Sequence, residues 1–173
     1  MLSILSYFWQ LCLLRTGPEK IPRSITITGS LVFVFLLIQT ISVLITYSNI
    51  RVFQVLILVV IEFIMEASII YGLLRFKNVA YRFLSTLSAV LGSNAIFICM
   101  LLAINLLMID LETGWIADFL NILALICFFW WLAVFGFILS RSASISMLLG
   151  TVLAFIIELV VVFSTRSIFP PAS

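Results

Sequence analysis

Histidine is absent from the 173 residues, and charged side chains make up only 9% of them. Without histidine, haem held by an imidazole and any histidine-containing metal site are excluded. Cysteine is scarce and scattered: Cys12, Cys99 and Cys127 stand alone, with no CxxC pair. Each reads as a small apolar packing residue rather than a disulfide or metal partner. No glycine-rich phosphate loop is present, which removes a nucleotide-binding reading. The formal charge of +2 is too small to suggest nucleic acid, and the basic residues sit beside apolar runs. A water-soluble domain of this size is about a quarter charged. This chain falls far short of that, so a single membrane domain is expected.

What is present is hydrophobic, at 65% of the residues. Five runs long enough to cross a bilayer are expected at 25–47, 52–74, 83–109, 119–139 and 145–163, forming a membrane domain over 25–163. A helix over Val52–Leu74 reaches about 35 Å, against about 30 Å of hydrocarbon. The expected fold class is all-α: a polytopic integral membrane helix bundle of five transmembrane helices, preceded by a short interfacial amphipathic helix. That first helix belongs to residues 1–24. Ser3, Ser6 and Gln10 share one face, with Tyr7 beside them, while Leu2, Leu5, Trp9 and Leu13 lie largely opposite. The pattern suits a helix in the interface with Tyr7 and Trp9 at headgroup level. It lacks a positive n-region and an A-x-A-like cleavage site, so no secretory signal is expected. Arg15 to Ser24 is the most polar stretch: Gly17-Pro18 and Pro22 break helices, and Arg15, Lys20 and Arg23 suit anionic headgroups. A short tail, 164–173, ends in Pro170-Pro171 and is expected to fray.

The second run carries the chain's main anomaly. Glu62 and Glu66 lie near its middle, four residues apart and so on one helical face. Two ionised carboxylates there would repel each other and be desolvated. At least one is therefore expected to hold a proton, or both to find donors on a neighbouring helix. A protonatable group at mid-membrane marks a functional site, though a neutral Glu also serves as packing glue between helices. Glu158 in the fifth run is a third such acid. Asn94 and Asn105 are amides of the third run expected to face protein, and Gln39 and Thr40 are the inner polar residues of the first. Trp130 and Trp131 sit at mid-depth in the fourth run, where an indole N–H wants an acceptor. A buried Glu or Asn is one choice, with packing against core or lipid the plainer one.

Small residues mark where helices approach closely. Ser85, Ser88 and Gly92 recur in the third run, with Ala89 and Ser93 as a second pair. Ser146, Gly150 and Ala154 lead at four-residue spacing to Glu158 in the fifth. If this stripe packs on the second run, Glu62, Glu66 and Glu158 share one interior. The acidic loop Asp110 to Asp118 lacks the spacing of a calcium loop and reads as solvated. Arg15, Lys20, Arg23, Arg75, Lys77, Arg82 and Arg141 fall on one side of a five-span topology, leaving Arg51 and Arg166 on the other. The positive-inside rule then puts the N-terminus in the cytoplasm and the C-terminus outside.

Five spans, Gly17-Pro18 ahead of the first and the carboxyls Glu62 and Glu66 resemble the Yip-domain family of small five-span membrane proteins. Leu14, Arg15 and Thr16 stand where its eukaryotic branch carries a D-L-Y-G-P type motif, so binding to Rab-type GTPases is not carried over. The resemblance implies a non-enzymatic role in membrane organisation or trafficking. The expected function is a scaffold or accessory subunit in the assembly of a larger membrane complex. The alternative is a proton- or cation-coupled transporter component using the intramembrane glutamates. No enzymatic activity, cofactor or metal is expected. Expected partners are membrane lipids and a membrane-protein partner or a second copy of the chain, and the compact loops suggest a bacterial inner membrane.

Overall fold

The computed structural model describes residues 4–46, 51–109 and 114–168, and among these there are helices and turns but no strand. The helices are α1 (Ile4–Cys12), α2 (Ile25–Thr46), α3 (Val52–Phe76), α4 (Phe83–Met108), α5 (Trp115–Ala143) and α6 (Met147–Ile168), with 3-10 turns at Pro18–Lys20 and Ala80–Arg82. Five of them, α2 to α6, are long and apolar enough to cross a membrane. The protein is thus an all-α bundle with the architecture of an integral membrane protein. The break at 47–50, Asp110 and Glu112 of the acidic loop, and residues 169–173 of the tail lie outside the described residues.

Helix α4 is the centre. Every residue from Ser85 to Asn94 is buried, so this stretch offers no face to lipid. Its hydroxyls are matched, as an apolar interior demands. Ser88 Oγ and Thr28 Oγ1 of α2 lie 2.8 Å apart, Thr86 Oγ1 donates to Ser142 Oγ of α5 at 2.8 Å, and Ser93 Oγ donates to the Val90 carbonyl at 3.0 Å. Gly92 supplies room of another kind: a Cβ there would fall on the ring of Phe8. Helix α1 is therefore seated on α4 through Phe8, Leu11 and Cys12, all buried. Trp9 and Leu13, on the apolar face expected to meet lipid, are exposed. The gap above Gly92 accepts a ring, and that selects the Phe8 face. Leu14, in the left-handed region at φ 60°, ends the helix, and the Arg15 N–H closes on the Gln10 carbonyl at 3.0 Å.

Helices α5 and α6 form a close antiparallel pair. Ser144 adopts φ 53° and its N–H caps the Ser140 carbonyl. Ser146 Oγ then accepts the Leu149 N–H at 3.3 Å, so α6 starts almost at once. The two backbones meet at glycines: a Cβ on Gly150 would fall on the Gly136 carbonyl oxygen, and one on Gly136 would fall on Thr151. The stripe of α6 is thus used differently from the expectation. Ser146 is an exposed helix cap, Gly150 packs on α5 rather than on α3, and Ala154 is fully buried in the main core. Helix α5 also runs four residues beyond the expected span at each end. At its C-terminal end the Arg82 guanidinium donates to the carbonyls of Arg141 and Ser142, at 3.3 and 3.2 Å, and holds the last turn helical.

Candidate functional site

Between the five spans lies a cavity of about 330 Å³ to which each of them contributes. Helix α2 gives Gln39 and Ser42, α3 gives Glu62 and Glu66, α4 gives Asn94 and Asn105, α5 gives Trp131 and α6 gives Glu158. The acids and amides singled out from sequence are therefore brought to one place, although they come from three separate helices. Phe35, Phe63, Phe97 and Phe128 complete much of the wall, and no Lys or Arg lines it.

The geometry follows from helix register. Glu62 and Glu66, one turn apart on α3, both point into the cavity. Helix α6 packs against both α5 and α3, and the residue one turn past Ala154 lines the cavity. That residue is Glu158, close enough to Glu62 and Glu66 for charges on them to interact. All three side chains are half-buried, their accessible part lying along the cavity.

A hydrogen-bonded chain fixes one wall. Trp131 Nε1 donates to Asn94 Oδ1 at 2.8 Å, and Asn94 Nδ2 faces Glu66 Oε1 at 3.5 Å. With its oxygen taken by the indole, the buried amide has only its NH2 group to present to Glu66. Glu66 therefore meets a donor, held in place by an aromatic side chain that is itself packed against Phe128 and Phe135. On the opposite side Gln39 and Thr165 approach the Glu62 carboxyl. The Thr165 hydroxyl already donates to the Val161 and Val162 carbonyls, at 2.9 and 3.1 Å. That single proton is shared between these carbonyls and Glu62, while the Gln39 amide offers an NH2 donor to the carboxyl.

Asn105 also lines the cavity and is exposed. Trp130 turns away from the acids. Its Nε1 donates to the Cys12 carbonyl at 2.8 Å, and its ring meets Trp9 and Phe97 edge-on. Two residues gain a role the sequence did not give them. Ser42 joins the lining, and Gln39, recognisable as a polar residue in an apolar run, reaches Glu62. Among the described residues no three Cys, Asp or Glu side chains converge closely enough to hold a metal ion. The acids are spread around a space rather than gathered on a point. Three carboxyls without a cation in the wall leave protons, water or a cationic guest as the means of neutralising them.

No family model, curated protein or solved structure matches the chain, so the chemistry of the cavity carries its functional reading.

Proposed function

We propose that the protein is a proton- or cation-handling component of a membrane transporter, with the cavity between the spans as its binding site. The observation that carries this reading is the convergence of Glu62, Glu66 and Glu158 on one cavity whose wall has no basic residue. A charged side chain at mid-bilayer costs about 2.5–3.5 kcal/mol on insertion scales, and such residues face interior pathways. The aromatic wall adds attraction for an organic ammonium ion, since ring faces carry negative potential. Protons and compact organic cations are the guests such a cavity suits, because its acids do not converge as metal ligands do. We place the basic end of the bundle in the cytoplasm, following the distribution of Lys and Arg, and the compact loops favour a bacterial inner membrane.

The test is a flux measurement in proteoliposomes under an imposed pH gradient, with wild type beside Glu62→Gln/Glu66→Gln. Flux in the wild type reduced at least tenfold in the variant is the expected result. Flux that persists unaltered in the variant refutes the assignment.

A scaffold or accessory-subunit role is the second reading, and the Yip-like resemblance belongs with it. One observation favours it. Ser68 and Gly72 lie one turn apart on α3, both are exposed, and a Cβ at Gly72 would meet nothing within 4 Å. Such a small-residue pair on a lipid-facing side suits a neighbouring helix of a partner or of a second copy. The other small-residue signals are occupied within the chain, Gly92 by Phe8 and Gly150 by Gly136.

A further inference from the structure

A second cavity, of about 300 Å³, lies at the end of the bundle where α2 and α4 begin and α5 ends. Its lining is of opposite character: Arg23, Arg82 and Arg141, with Tyr81, Ser85 and Ser142, and a single acid, Glu19. The three arginines come from segments far apart in sequence, and aromatic rings position them. Arg23 and Arg82 both lie over the Tyr81 ring, with guanidinium carbons 4.9 and 5.4 Å from its centroid, and Arg141 lies 5.6 Å from that of Phe137.

The three differ in what they do for the fold. Arg82 donates through Nη1 to the end of α5 and through Nε to Tyr81 Oη at 3.2 Å. Arg23 and Arg141 are exposed, and their contacts among the described residues are with aromatic faces. A cation–π contact draws each guanidinium to its ring without neutralising the charge. Two exposed guanidinium groups, beside a third arginine and the Ser142 hydroxyl, which accepts from Thr86 and keeps its own proton, match a tetrahedral oxyanion. The position matters equally. These residues flank the ends of membrane-spanning helices, where phospholipid headgroups are the abundant anions.

We infer that this cavity binds the phosphate of an anionic phospholipid headgroup, with Arg23 and Arg141 as its recognition residues and Arg82 as the residue that shapes the site. The inference is independent of the acidic cavity. It is tested by native mass spectrometry of the full-length protein in detergent, titrated with phosphatidylglycerol, phosphatidylcholine or inorganic phosphate. Wild type beside Arg23→Gln/Arg141→Gln is the comparison, because among the described residues neither side chain holds a backbone carbonyl.

Phosphatidylglycerol is expected to be retained in preference to phosphatidylcholine. The double variant is expected to bind it about thirtyfold more weakly, near fivefold for each arginine. Equal retention of the two lipids by wild type, or equal affinity for phosphatidylglycerol in wild type and variant, overturns the inference. Inorganic phosphate that displaces phosphatidylglycerol at equal concentration assigns the site to free phosphate and overturns the lipid as its source.

Discussion

At the scale of single residues, the Trp131–Asn94–Glu66 chain decides which atom of an amide faces the acid. Replacing Trp131 by Phe keeps the ring but removes the N–H. Asn94 Oδ1 then loses the donor that fixed the amide, and a buried unsatisfied acceptor costs about 1–3 kcal/mol. Thermal unfolding in detergent is expected to show that loss for Trp131→Phe, and an unshifted melting temperature would mean that the amide is not held this way. Gly92 offers a packing test of the same size. Gly92→Leu drives the Phe8 ring from its seat, an overpacking cost of typically 1–3 kcal/mol. Adding Phe8→Ala is expected to recover part of it, whereas additive losses would separate the two positions. Glu62 and Glu66 were legible in the sequence because carboxyls at four-residue spacing in an apolar helix leave few alternatives. The orientation of Trp131 was not, because an indole at mid-depth satisfies its N–H equally well on a backbone carbonyl, as neighbouring Trp130 does.

At the scale of elements, the α5–α6 pair is the tightest contact, and glycine makes it possible. Gly150→Val is expected to be severely destabilising, by about 3 kcal/mol or more, since the new branch meets the Gly136 carbonyl and nothing there yields. Gly72→Val, on an open face of α3, is the control and is expected to leave monomer stability nearly unchanged. Yields of folded protein from size-exclusion chromatography distinguish the two, and similar yields would contradict the close approach. Here the sequence was half-informative. The small residues of α6 announced a close helix neighbour but not which one, since every face of these helices is apolar. A stripe one residue wide fits α3 as well as α5. The end of α5 was hidden for a different reason. Ser140, Ser142 and Ser144 read locally as a connection, and Arg82, distant in sequence, adds donors to the carbonyls of the last turn beside the Ser144 cap.

At the scale of the molecule, two cavities of opposite polarity occupy different levels of one bundle. The acidic one is walled by all five spans at mid-depth, and the basic one sits at the end shared by Arg23, Arg82 and Arg141. Charge distribution along the chain gave the basic end directly, because loops near spans carry their Lys and Arg visibly. The acidic cavity needed the fold, since Glu62, Asn94 and Glu158 lie on three helices and meet only through packing. The claim on which the account rests is that these carboxyls line one accessible space in which a proton or cation resides. An apolar carbodiimide tests it most directly, because it enters the membrane and forms a stable adduct with protonated carboxylic acids there. The modified peptides are then located by mass. Adducts are expected on Glu62, Glu66 or Glu158 and are expected to disappear with the corresponding Gln substitutions. Adducts confined to Glu19 or Asp118, outside the cavity, or no adduct at all, would contradict the claim.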